Sequence, residues 1–183
     1  MLYAILLIVV LLVAVLLLVA AMKPNTFRFA RSITVNAPPE AVFAQVVDFH
    51  RWESWSPFEK LDPSMKKSFS GADQGVGAIY TWDGNAKAGA GRMEIVETNP
   101  PNRVTLNLAF SRPFKAENVT DFTMEPAAGG TQVTWAMHGK NSFVSKLMSV
   151  FMSMDKLVGK DFEEGLANLK RNAESASQPS PAG

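Results

Sequence analysis

The first 22 residues (MLYAILLIVVLLVAVLLLVAAM) contain no charge, no proline and no glycine. That run constrains the chain more than any other feature. A helix needs about 20 apolar residues to cross about 30 Å of hydrocarbon, and residues 2–22 meet that length. A helix buried in a soluble core would show a polar edge, and this one has none. A cleavable signal normally opens with basic residues and carries a shorter apolar stretch. Nothing basic precedes this run, although Val19, Ala20 and Ala21 offer a weak small-residue site. The reading is therefore a single membrane-spanning helix from Leu2 to Met22, with Tyr3 at an interface and a cleaved signal as the alternative. Lys23, Arg28 and Arg31 follow the run and the first acid is Glu40. Positive charge is retained on the cytoplasmic side, so the expected topology places the remaining chain inside and the N-terminus outside, with the reverse orientation left open.

The rest of the chain has the composition of a different solvent. The whole sequence of 183 residues is 47% hydrophobic and 19% charged with a net charge of +1. Residues 23–183 taken alone are roughly 40% hydrophobic and about 22% charged, as in an ordinary globular domain. One such domain fits that length and two do not. The absence of cysteine removes disulfide scaffolds, zinc ribbons, iron–sulfur sites and thiol nucleophiles. Near-neutral charge argues against a nucleic-acid binder that works through phosphate contacts.

Periodicity then gives the elements. Phe27, Phe29, Ile33 and Val35 alternate with Arg28, Ala30, Ser32 and Thr34, the pattern of a half-buried strand. Prolines 38 and 39 followed by Glu40 suit a helix start, and Val42, Phe43, Val46 and Val47 supply its apolar face. Residues 49–57 (FHRWESWSP) form a short aromatic helix or turn. Five strand-like runs follow, at roughly 76–83, 90–98, 103–111, 117–125 and 131–138, with a further short strand possible at 66–70. Their connections are too short for parallel crossovers, so neighbours run antiparallel. One face of this sheet carries Tyr80, Trp82, Met93, Ile95, Val104, Leu106, Leu108, Phe110, Phe122, Met124, Val133, Trp135 and Met137. The other carries Thr81, Arg92, Glu94, Thr105, Asn107, Asp121 and Thr134. A sheet with one apolar face needs a cover. Leu147, Phe151, Met154, Val158, Phe162, Leu166 and Leu169 recur at helical spacing and supply it, starting from a cap at Asn141 or Ser142. Thirty helical residues would span about 45 Å, so a break is expected around residues 153–155. Residues 173–183 are expected to form a disordered tail, and residues 23–26 a linker.

Specific segments resemble a known superfamily. Residues 31–43 (RSITVNAPPEAVF), 48–57 (DFHRWESWSP), 89–95 (GAGRMEI) and 159–170 (GKDFEEGLANLK) are similar to signature segments of the START-like (SRPBCC) superfamily, in its bacterial polyketide cyclase/dehydrase-like subgroup. The likeness covers roughly residues 27–172. It implies an α+β helix-grip fold, an antiparallel curved sheet wrapped around a long C-terminal helix, here preceded by one transmembrane helix. It also implies an apolar cavity between sheet and helix. On that implication the candidate ligand-binding residues are Trp55, Tyr80, Trp82, Met93 and Leu106, together with Leu108, Phe122, Trp135, Met152 and Phe162.

No stronger chemical signature competes with a cavity. His50 and His138 are isolated, with no metal-ligand spacing, and no metal or cofactor is expected. No G-x-S-x-G elbow occurs. The glycine-rich stretches 71–77 and 84–91 lack phosphate-loop spacing and sit between strands, which suits hairpin turns; Lys87 at one tip is placed to meet a ligand or a lipid headgroup. Glu117, Asp121 and Glu125 share the solvated strand face. Three functions are consistent with these residues: a membrane-tethered carrier or sensor of a hydrophobic small molecule or lipid; a cyclase or dehydratase using Tyr80, Asp161 or His138 as acid–base groups; and an interaction module with a filled cavity. The first is the expected one, with no protein partner indicated.

Overall fold

The computed structural model describes residues 1–177. Helix α1, Leu2–Met22, is the apolar run. It is one helix long and apolar enough to cross a membrane, and at 1.5 Å per residue it reaches about 31 Å. Strand β1, Thr26–Val35, follows within four residues, and helix α2, Pro39–Val46, starts on proline with Glu40 in its first turn. Two short 3-10 helices, Phe49–Ser54 and Pro57–Lys60, carry the aromatic segment.

The sheet has seven antiparallel strands. After β1 come β2 (Lys66–Gly71), β3 (Ala78–Asp83), β4 (Ala90–Asn99), β5 (Arg103–Arg112), β6 (Ala116–Ala127) and β7 (Gly130–Lys140). Their order is β1-β7-β6-β5-β4-β3-β2, so only β1 joins a strand distant in sequence. Short hairpins enforce every other pairing. The possible strand at 66–70 exists, as the edge strand β2.

Ser142 caps helix α3, Phe143–Phe151, by accepting a hydrogen bond from Ser145 N at 3.1 Å. The long apolar stripe breaks at Met152 and Ser153, and helix α4 runs from Met154 to Ser177. α4 lies along β1. Arg31 donates to Asp155 and Glu163, Lys170 donates to Thr34 O at 2.8 Å, and Asn36 N donates to Glu174 at 2.7 Å. This is the helix-grip architecture: a curved antiparallel sheet closed over a long C-terminal helix.

Two features differ from the sequence reading. The helix continues through residues 173–177, expected in the disordered tail, because Ala173 is fully buried against the core; the remaining tail residues, 178–183, lie outside the described residues. Helix α3 also does not cover the sheet with its whole stripe. Phe151 is 72% exposed, and α3 packs instead beside the end of α1, where Ala20 is buried.

Candidate functional site

The apolar sheet face is divided. Toward the end where β1 meets α2, side chains meet without a gap. Val35, Val104, Phe122, Met124 and Val133 pack against Trp55, Leu166 and Leu169, all essentially inaccessible. Phe122 meets Trp55 edge-on at 5.9 Å and stacks on Trp135 at 4.9 Å between centroids. Asn168 on α4 donates to Trp55 O at 3.0 Å and ties the helix to this packed end.

Toward the other end the layers separate around a cavity of about 170 Å³. Its walls are Tyr80, Trp82 and Met93 from β3 and β4, Leu106, Leu108 and Phe110 from β5, and Trp135 and Met137 from β7. Val158 and Phe162 of α4 close the helix side, and Phe58, Leu61 and Met65 close the loop side. The half-buried lining residues Leu108, Phe110, Met137 and Val158 mark its mouth, with Phe58 and Leu61. Gly91 is part of why this space exists: a Cβ there would run into the Trp82 ring and Ala109 O, so glycine lets the indole lie flat on β4.

Polar atoms in the wall are few and mostly committed. Tyr80 OH donates to Glu59 Oε1 at 2.8 Å, and Lys67 Nζ lies 2.6 Å from Glu59 Oε2. Burial and the Glu59 carboxylate push the Tyr80 phenol well above its ordinary range, so it stays protonated. The Glu59 hydrogen bond holds the Lys67 ammonium above its usual range. Ser56 and Thr120 add two hydroxyl-bearing side chains. The tryptophans provide the telling contrast. Trp52, Trp55 and Trp82 donate their indole N–H groups to Val46 O, Gln45 O and Ala88 O at 3.0, 3.2 and 3.1 Å. Trp135 Nε1 is the one buried side-chain polar atom without a partner among the described residues; the Trp135 ring lines the cavity, but this nitrogen is covered by neighbouring atoms. Leaving such a donor unpaired costs about 1–3 kcal/mol.

Of the ten candidate ligand residues, Tyr80, Trp82, Met93, Leu106, Leu108, Trp135 and Phe162 line this cavity. Trp55 and Phe122 belong to the packed end, and Met152 sits 49% exposed at the α3–α4 break. Of the acid–base candidates only Tyr80 reaches the cavity. Asp161 stands on α4 outside the lining, its carboxyl raised by burial and by Glu164. His138 is on the outer sheet face, 3.3 Å from Asp121. There burial favours the neutral Asp121 carboxyl, but Arg103, Thr105 and His138 outweigh it and hold it below the ordinary carboxylate range. Glu59 was not singled out from sequence. Its signal was weak, one acid in a 3-10 turn beside Pro57, and its partner Lys67 lies on an edge strand eight residues away. No cluster of three or more metal-ligating side chains occurs among the described residues. A broad depression on the outer face, walled by Arg28, Arg92, Glu117 and His138, is charged and open to solvent.

Comparison with known proteins agrees with this architecture. The family described as polyketide cyclase / dehydrase and lipid transport matches residues 26–174. Among solved structures, a Mesorhizobium loti protein superposes with a TM-score of 0.58 at 17% identity, covering 83% of this chain and 100% of its own. A Chromobacterium violaceum protein gives 0.56 at 19%, covering 82% and 99%. A major latex-like protein of Panax ginseng gives 0.56 at 13%, covering 85% and 100%. At such identities the likeness is one of fold. No curated protein matches the sequence.

Proposed function

The chain belongs to the polyketide cyclase/dehydrase and lipid transport family, and from that premise we propose that it is a membrane-tethered carrier or sensor of an apolar small molecule. In this reading residues 1–22 are the anchor, residues 23–26 a short tether and the remainder the binding domain, facing the cytoplasm by the positive charge after the span. The observation that carries the proposal is the apolar cavity of about 170 Å³ between sheet and helix. A cavity of about 150 Å³ lined by aliphatic and aromatic side chains admits a benzene ring. The space here therefore holds a ring or a short chain segment, and the rest of a larger ligand leaves through the mouth. With so few polar atoms in the lining, the ligand class is a largely apolar ring or chain.

The test uses the full chain in mild detergent, with native mass spectrometry and two probes of similar size. Menadione carries carbonyls and naphthalene does not. Both should bind, and Leu108→Trp, which fills the cavity, should abolish both. Failure of both probes to bind the unaltered chain would overturn the proposal. A second reading, an acid–base enzyme of the cyclase type, draws on the Glu59–Tyr80 pair in the wall. It requires turnover of a ring-forming substrate that Glu59→Gln abolishes while the cavity still binds menadione.

A further inference from the structure

We propose that the end of the domain beside α1 is a docking face for an anionic lipid bilayer, and that the cavity mouth opens onto that bilayer. The inference rests on the reading of α1 as a span, and the experiment below separates the two.

Strand register places the relevant pieces at one end of the sheet. Thr26, just after α1, pairs with Lys140 at the end of β7. Gly139 pairs with both Phe27 and Asn118, and Asn118 pairs with Leu108. The β5–β6 turn at 113–115 therefore reaches the level at which the chain leaves α1. Asp83 pairs with Ala90 and Ala90 with Arg112, which brings the β3–β4 turn at 84–89 to the same end. Helix α3 begins there, three residues after β7. It is fixed beside the exit of α1, because Lys146 Nζ donates to Asn25 Oδ1 at 2.5 Å.

These pieces expose apolar side chains that nothing among the described residues covers. Phe143, Val144, Met148 and Phe151 are exposed on α3, and Phe114 is 63% exposed at the β5–β6 turn. At 100° per residue the four α3 positions fall within an arc of about 140°, one side of the helix. Its only charge, Lys146, is buried on another side. A short helix with an apolar side outward, held against the end of a membrane span, is the arrangement of an interfacial helix sunk to the headgroup–acyl boundary. Charge agrees with that occupant. Lys23, Lys66, Lys87, Arg112, Lys115 and Lys140 lie at this end against Asp62, Asp83 and Glu117, with Arg112 paired to Asp83 and Asp62 accepting from Asn85 N. Basic residues at the exit of a span attract anionic headgroups.

The mouth shares this end. The half-buried cavity residues on the sheet lie from the level of Met137 through Leu108 to Phe110, which pairs with Ala116 at the foot of the exposed turn. The packed half lies away from it. An apolar ligand can thus pass from bilayer to cavity without crossing water.

The absence of native cysteine makes single-thiol labelling direct. Spin labels are placed on the full chain in vesicles of phosphatidylcholine with phosphatidylglycerol, through Phe114→Cys, Phe151→Cys, Val9→Cys inside α1, and Asp73→Cys in the loop at the opposite end. The readout is relaxation by oxygen, which partitions into lipid, against a water-soluble nickel complex. Positions 114 and 151 should show an oxygen-to-nickel ratio severalfold above position 73 and approaching position 9. Position 9 in lipid with 114 and 151 as aqueous as 73 overturns the docking face and leaves the span standing. Positions 114 and 151 shielded from both agents, with dipolar broadening between copies, overturns it in favour of self-association; shielding without broadening does so in favour of a protein cover. Position 9 in water overturns both readings.

Discussion

The two halves of the gripped layer are built from the same kinds of residue and do opposite things. At the packed end Trp55, Phe122 and Leu166 leave no gap. Two to six residues along the sheet, about 7–20 Å by the rise of about 3.3 Å per residue, Leu106 and Trp82 face Phe162 of α4 around a cavity. The difference lies in what each half has opposite it. The packed half receives α2, Trp55 and the second half of α4. The hollow half receives Val158 and Phe162 from α4, the Trp52 side chain, and a loop carrying Phe58, Leu61 and Met65. Stability and binding capacity are thus assigned to different ends of one sheet. A fully packed core would be firmer but would hold no guest.

The contrast breaks most visibly under truncation. Phe122→Ala should cost about 3–5 kcal/mol in urea unfolding, because the packed end has no free space into which to relax. Leu108→Ala should cost about 1–2 kcal/mol, since its side chain already borders empty space and loses fewer contacts. Equal losses at the two sites would mean that the cavity collapses in solution.

Glycine substitutions in α4 give a finer version. Alanine favours a helix by about 1 kcal/mol over glycine. At Gly165 the new methyl would meet the Trp135 ring and Pro57, so Gly165→Ala should still destabilise, by roughly 1–2 kcal/mol after that gain. At Gly159 the obstacle is the Arg31 guanidinium, the far end of a flexible side chain, so Gly159→Ala should lose less. Thermal unfolding of the pair checks the order.

Much of the fold was legible because its determinants are local. Alternation at residues 27–35 and 103–111, the Pro38-Pro39-Glu40 start and the helical spacing from Val158 to Leu169 each follow from one short window. So did the break near residue 153, which needed only the length of a helix against the width of a domain. The division of the interior was not legible. Trp82, Phe122 and Trp135 all point inward by pattern, and only the identity of what lies opposite decides which wall a cavity and which fill the core. Met152 shows the same limit: it carries the right side chain but falls at the α3–α4 break, where the helical phase restarts. Glu59 was hidden because its role comes from Tyr80 and Lys67, which only the β2–β3 pairing brings to it. The outward side of α3 was misread for a related reason. A stripe states that a helix needs an apolar neighbour, and a bilayer satisfies that need as well as a sheet does.

The smallest predicted effect concerns the polar corner of the hollow half. Tyr80→Phe removes the hydrogen bond to Glu59 and should cost about 1 kcal/mol near neutral pH. The alkaline range distinguishes this bond from mere packing. The folded-state pKa of Tyr80 is raised, through burial and then Glu59, so between the unfolded value near 10 and that raised value only the unfolded chain gives up the proton. Fewer protons bound to the unfolded state means stability falls as pH rises. The contribution is complete below about pH 10 and is lost above it, at up to about 1.4 kcal/mol per pH unit. Tyr80→Phe lacks the ionising group, so its stability should fall less steeply there and the two curves should approach and cross. Parallel curves above pH 10 would show that the phenol is exposed to solvent, and the hollow half would then be wetter than its apolar lining implies.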